Sequence, residues 1–212
     1  MDISWYGHSC FRLSERGQLT VVTDPFSDVL GLPVPKLKGD VVTISHHSPG
    51  HDCVDAVKGY RHVLDGPGEY EIGGVFLTGV ALHHIHDSGG VAYNVAFVTQ
   101  YNALSVVHLG DLAHIPTQAT IEALGEVTVA LVPVGGGKGL KAAQAAEIIA
   151  MIEPYYIVPM HYALPGLTVE LDPVDKFLKE MGISRVQEED VLRISDTTLP
   201  EQPQVILLRP QQ

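Results

Sequence analysis

Thr43-Ile44-Ser45-His46-His47-Ser48-Pro49-Gly50-His51-Asp52 is the stretch from which the rest of the chain can be read. Histidines 46, 47 and 51 and Asp52 crowd together directly after the apolar run Val41 to Ile44. A rigid strand that ends in an imidazole, followed by a short loop that wraps further ligands round, is a common way to hold a metal ion at the edge of a sheet. The plain alternative is a solvated polar loop that happens to carry histidine.

Working outward, the 212 residues show no Ser/Pro/Gly linker and no charge block, so one domain over 1–212 is expected. The formal net charge of −12 opposes phosphate backbones, and no basic patch offsets it, so a nucleic-acid partner is not expected. The apolar runs are too short to span a bilayer, and Met1-Asp2-Ile3-Ser4-Trp5 lacks the basic start and apolar core of a signal segment. A cytoplasmic protein with no membrane partner is the resulting expectation. Cys10 and Cys53 are expected to be free thiols there. Oligomeric state leaves no mark on the sequence.

Residues 3 to 72 read as a meander of antiparallel strands: Cys10 to Leu13, Leu19 to Thr23, Asp40 to Ile44, Tyr60 to Leu64 and Gly68 to Ile72, with a loop over 27–40 and a short helix over Asp52 to Lys58. Strands follow at Val75 to His86, Tyr93 to Thr99 and Leu104 to His108. Beyond Thr117, which can cap a helix closed by Gly125, the pattern changes to strand, helix, strand: Val127 to Val134, Leu140 to Ile152 and Tyr155 to Pro159. A right-handed crossover of this kind brings Gly135-Gly136-Gly137 and His161 to one edge of the sheet. A helix starting at Asp172-Pro173 and ending at Gly182, then strands Val191 to Ile194 and Val205 to Leu208, complete the chain.

Four apolar runs end in a candidate ligand: His46, the cluster His83-His84-Ile85-His86-Asp87, Asp111 and His161. Imidazoles with a carboxylate suit zinc, and manganese or iron as alternatives, whereas unpaired cysteines argue against a thiolate site. Each piece also has a bland reading. His108 is expected in the core, His62 and His114 at the surface, and Cys53 as a small apolar residue. His83 points away from His84 and His86 on a strand, so one face of that trio can serve a site. Asp24 either caps the turn with Pro25 or orients a ligand histidine from behind. The glycines at 135–137 read as an anion cradle or as a tight turn.

Together, Tyr6-Gly7-His8-Ser9, Thr23-Asp24-Pro25-Phe26, Ser45-His46, the 83–87 cluster, His108-Leu109-Gly110-Asp111, Pro133-Val134-Gly135-Gly136 and Pro159-Met160-His161-Tyr162 resemble, in that order, the metallo-β-lactamase superfamily. The resemblance is to its small bacterial metal-dependent hydrolases, which include ascorbate-phosphate lactonases. It implies an α+β fold, a four-layer αββα sandwich with one or two zinc ions at one edge. By the family's roles His46, one of His84 and His86, and Asp111 serve a first metal, while His51, His161 and Asp111 serve a second. Catalysis would turn on Asp111 and His51. The family motif HxHxDH falls on His46 to His51, so its second histidine is Ser48 and its aspartate is Gly50. His47, Asp52 or the second member of the 84/86 pair are the residues that could compensate.

Two readings follow from the resemblance. One is a hydrolase that cleaves a small-molecule ester, lactone or phosphoester through a metal-held hydroxide. The other is a non-catalytic relative that binds a small molecule or partner, its metal site partly lost at Ser48 and Gly50.

Overall fold

Two adjacent valine pairs show how the first sheet divides its faces. Side chains alternate across a strand, so Val21 and Val41 enter the main core, while Val22 and Val42 turn to the opposite side. There they meet Phe26, Leu30, Leu37 and Val57, and the segment read as a loop thereby becomes a covering layer with its own apolar cluster. The computed structural model describes residues 1–85 and 91–211, with the side chains of 83–85 and 91–92 excepted. It is an α+β sandwich of a six-stranded and an eight-stranded sheet, with a small two-stranded pair of Leu37–Lys38 and Val57–Lys58.

In the six-stranded sheet the order is Leu192–Arg193, Asp2–Trp5, Phe11–Ser14, Val21–Thr23, Val41–Thr43 and His62–Leu64. The antiparallel meander expected here stops at Val21–Thr23, because the last three strands run parallel. Long crossovers over 24–40 and 44–61 replace hairpins, and parallel pairing requires such connections. The consequence matters for the site: Asp24 and Ser45-His46 leave their strands at the same edge.

The eight-stranded sheet runs Gln187–Glu189, Gln204–Leu208, Tyr156–Met160, Val129–Pro133, Leu104–His108, Val91–Tyr101, Val75–Ile85 and Gly68–Ile72. Leu104–His108, Val129–Pro133 and Tyr156–Met160 are mutually parallel, so Asp111, Gly135 and His161 emerge together. The crossover helix Ala142–Ile152 buries Ala145, Ile148 and Ile149, a stripe at helical spacing, and stops at Glu153 ahead of Pro154. Thr117 caps Gln118–Glu122 by accepting from the Thr120 N–H, and Val174–Glu180 forms the last helix.

One local expectation fails and one strand goes unforeseen, each for a physical reason. Asp52 to Lys58 is not a helix but the 3-10 turn Val54–Ala56 followed by strand Val57–Lys58. Buried β-branched Val57 pairs beside Leu37 instead of completing a helical stripe. The strand Gln187–Glu189 escapes sequence reading because it lies at the sheet edge and carries no apolar alternation. No helix among the described residues is long and apolar enough to cross a membrane. Cys10 and Cys53 are free thiols.

Candidate metal centre

Asp24 anchors the site from beneath. Its carboxylate is buried, and it accepts from Ser45 N–H at 2.7 Å, Ser45 Oγ–H at 2.6 Å and His51 Nδ1–H at 2.9 Å. Burial alone would raise its pKa; the electrostatic interaction with His108 and the hydrogen bonds from His51 and Ser45 oppose this and hold it at about 2. An ionised carboxylate on Nδ1 fixes the tautomer of His51, leaving the Nε2 lone pair aimed forward, the standard support for a metal-binding imidazole. Of the two readings of Asp24, orientation is therefore the one the structure gives.

In front of that pair, side chains from four separate strand ends meet. His46, His51 and Asp111 place one ligand atom each within 4.8 Å of the others, and so do His8, His51 and His161. His161 Nε2 stands 3.6 Å from Asp111 Oδ1, and His8 Nε2 stands 3.2 Å from His51 Nε2. Asp111 Oδ1, His161 Nδ1 and His8 Nδ1 are buried without a hydrogen-bond partner among the described residues. Buried polar atoms are rarely left so, and a cation beside Asp111 would satisfy its Oδ1. The residues fit a divalent cation.

Burial keeps His8, His46 and His161 neutral, as ligation needs. Desolvation pushes His161 down to about 4, with Asp111 opposing and His51 and His46 assisting. Desolvation followed by the neighbouring rings of His161, His51 and His46 lowers His8 far below the ordinary range. His46 is lowered too, by burial and then by His51. The backbone is held in costly shapes at the same place: His8, Asp24 and His161 have φ of 50°, 38° and 53°. Residues with such angles cluster where surrounding structure over-determines them, often at functional sites.

Asp111 is positioned through its backbone. Asn94 accepts from the Asp111 N–H at 3.1 Å and donates to the Leu109 carbonyl at 2.8 Å, pinning the loop after Leu104–His108. Gly110 is required in that loop, since a Cβ there would stand 2.2 Å from Asn94 Oδ1, with φ at +63°. On the far side, a Cβ on Gly135 would stand 2.1 Å from the His161 carbonyl, which is how the crossover delivers both to one edge. The glycine run itself is a turn: the Gly136 N–H donates to Leu140 and the Gly139 N–H to Gly136.

The other histidines sort differently. His108 donates Nε2–H to the Ser9 carbonyl at 2.8 Å and accepts from the Gly110 N–H at 3.2 Å, so both ring nitrogens are committed in the core. His47 does not swing in. Its ring is exposed and lies 3.6 Å from Asp52 and 3.4 Å from Asp65. His62 is exposed and His114 half-buried. His84 is on Val75–Ile85 opposite Ala92, its side chain outside the description, and His86 lies outside the described residues altogether. Ser48 and Gly50 line the cavity, which measures about 340 Å³ and is also lined by Gly137 and Lys138. His8 belongs to the cluster although sequence reading quotes it only inside a motif; its one signal is a histidine after glycine in a turn at a strand end.

Comparison with known proteins places this geometry in context. A model described as the Beta-lactamase superfamily domain matches residues 2–161. A protein of Natranaerobius thermophilus named as a metal-dependent hydrolase is 27% identical over 191 residues, 76% of this chain and 83% of its own. One from Pyrococcus furiosus is 29% identical over 210 residues, 88% of this chain and 93% of its own. Among solved structures, a proposed Zn-dependent hydrolase of the metallo-beta-lactamase superfamily from Thermotoga maritima has a TM-score of 0.80 at 36% identity, covering 98% of this chain and 97% of that one. A metallo hydrolase from Ignicoccus hospitalis, at 21% identity and a TM-score of 0.68, shares the fold.

Proposed function

We propose, given that the chain belongs to the beta-lactamase superfamily whose domain spans residues 2–161, that it is a metal-dependent hydrolase of a small-molecule ester, lactone or phosphoester, with zinc as its cation. One observation carries the reading: His46 and His51, from the loop after Val41–Thr43, and Asp111, from the loop after Leu104–His108, bring ligand atoms within 4.8 Å of one another in the lining of a cavity. The names of the Natranaerobius and Thermotoga relatives, as a metal-dependent and a proposed Zn-dependent hydrolase, agree with it.

A divalent cation bound there supplies Lewis acidity, polarising a substrate oxygen and lowering the pKa of water. The chain's own residues do the rest. Asp24 fixes the tautomer and direction of His51, so no reorganisation is needed when the cation arrives. Asp111 brings the negative charge that faces the rings, its main chain clamped by Asn94. Lys138 on the cavity wall offers a positive charge to an anionic substrate group. Ser48 lines the cavity at the position of the family's second histidine.

The test is hydrolysis of three chromogenic substrates, an ester, a lactone and a phosphodiester, by protein stripped with a chelator and then reloaded with zinc. Turnover of at least one of them is expected only after reloading, and Asp111→Ala should abolish it. Zinc-loaded protein no faster than buffer on all three, or stripped protein equally fast, would refute the proposal.

A further inference from the structure

The family's aspartate falls on Gly50, and the structure shows what occupies its space. A Cβ built on Gly50 would stand 3.3 Å from His8 Nε2 and 3.2 Å from Leu30 Cδ2, tighter than side chains ordinarily tolerate. The His8 imidazole borders the position from which the family's aspartate projects, and it would have to give by a few tenths of an ångström to admit a side chain there.

The ring is also placed as a ligand would be. Its Nε2 is 3.2 Å from His51 Nε2. Two nitrogens sharing a tetrahedral zinc, each about 2.0–2.1 Å from it, lie about 3.3 Å apart. The third member, His161, has its ring centroid 4.1 Å from that of His8. His8 is 3% exposed, so its ring is shielded from bulk water. The ring is held by its main chain, not by its side chain: the His8 carbonyl accepts from Trp5 Nε1–H at 3.1 Å and from the His161 N–H at 3.0 Å. The second of these ties the turn Tyr6 to Cys10 to the end of strand Tyr156–Met160, at a residue whose φ is 50°.

We propose that His8 replaces the missing carboxylate, so that His8, His51 and His161 form an all-imidazole seat for a late first-row divalent cation such as zinc. The inference rests on the reading that this cavity holds a cation. It adds which residue completes the second position and what that exchange does. An imidazole in place of a carboxylate removes one negative charge and one hard oxygen donor, which favours zinc over manganese or magnesium.

The test uses His8→Asn. Asparagine tolerates the left-handed φ of this position and keeps both main-chain bonds, but its side chain is too short to bring a donor where the imidazole nitrogen stands. Wild type, His8→Asn and His47→Ala are stripped, checked by circular dichroism, and titrated with Zn²⁺ against a chromophoric chelator. Wild type and His47→Ala are expected to match, and His8→Asn to weaken one zinc by more than about 100-fold, beyond what loss of a supporting residue costs. On the wild-type protein alone, ¹⁵N spectra of the imidazoles should show the His8 Nε2 resonance move on adding Zn²⁺. That second readout holds even if the variant misfolds. Wild type that binds zinc while His8→Asn binds it equally tightly, or with His8 Nε2 unmoved, overturns the assignment of His8 and leaves the hydrolase reading intact. Wild type that takes up no zinc overturns both.

Discussion

Asp24→Asn isolates the support beneath the site from the ligands themselves. The substitution keeps size and a residue that tolerates φ of 38°, so backbone strain is unchanged and the effect is one of charge and hydrogen bonding. Asp24 accepts three hydrogen bonds, from Ser45 N–H, Ser45 Oγ–H and His51 Nδ1–H. The amide oxygen of asparagine can serve the Ser45 N–H, but its NH₂ then faces donors. Hydrogen bonds to charged groups contribute about 1.5–3 kcal/mol each, so loss of one or two costs about 1.5–6 kcal/mol in the metal-free protein. Zinc affinity should fall about 10- to 100-fold, or roughly 1.4–2.7 kcal/mol, because His51 loses its fixed tautomer. Denaturant unfolding of the stripped protein measures the first quantity and chelator competition the second. The sign with pH follows from a carboxyl held at about 2 against an ordinary 3.8. Its contribution is complete above about 4 and fades as pH falls toward 2, so wild type and variant should differ fully at pH 7 and converge in acid. An Asp24→Asn protein as stable as wild type at pH 7, with unchanged zinc affinity, would refute the account of Asp24.

Other outcomes separate core from site. His108→Ala should cost about 2–4 kcal/mol in denaturant unfolding, since it opens a cavity and orphans the Ser9 carbonyl and the Gly110 N–H, while zinc stoichiometry stays as in wild type. Gly110→Ala should destabilise by more than about 2 kcal/mol, because the new methyl meets Asn94 and Ser45 in a left-handed turn; thermal unfolding reads this directly. In the stripped protein His161 titrates at about 4 against an ordinary 6.5, so the unfolded chain binds the extra proton first. Stability should therefore be complete above pH 6.5 and decline as pH falls toward 4, by roughly 3 kcal/mol from this residue. Urea midpoints across pH 4 to 7.5 check it, and a flat profile would contradict it.

The strand ends were legible because their chemistry is local. Val41 to Ile44 running into His46, Leu104 to His108 running into Asp111, and Tyr155 to Pro159 running into His161 each join an apolar run to a polar residue. The crossover rule alone brings the last of these beside the glycine turn. Asp24 was ambiguous because nothing near it in sequence says that residue 51 folds back onto it. His8 had no assigned role for the same reason, as its partners lie 43 residues away in His51 and at the other end of the fold in His161. The parallel pairing of Val21–Thr23, Val41–Thr43 and His62–Leu64 was read as antiparallel because short apolar runs carry no direction; only the long crossovers set it. His47 looked like a reserve ligand in the motif, yet Asp52 and Asp65 hold it outside, a competition that no spacing rule registers.

The most direct measurement of the central claim is an anomalous-difference map at the zinc edge, from crystals of the protein purified without added metal. The account predicts a peak in the space enclosed by His8, His46, His51, Asp111 and His161, within bonding distance of at least three of them. A map without a peak there, unchanged after soaking in zinc, would contradict it.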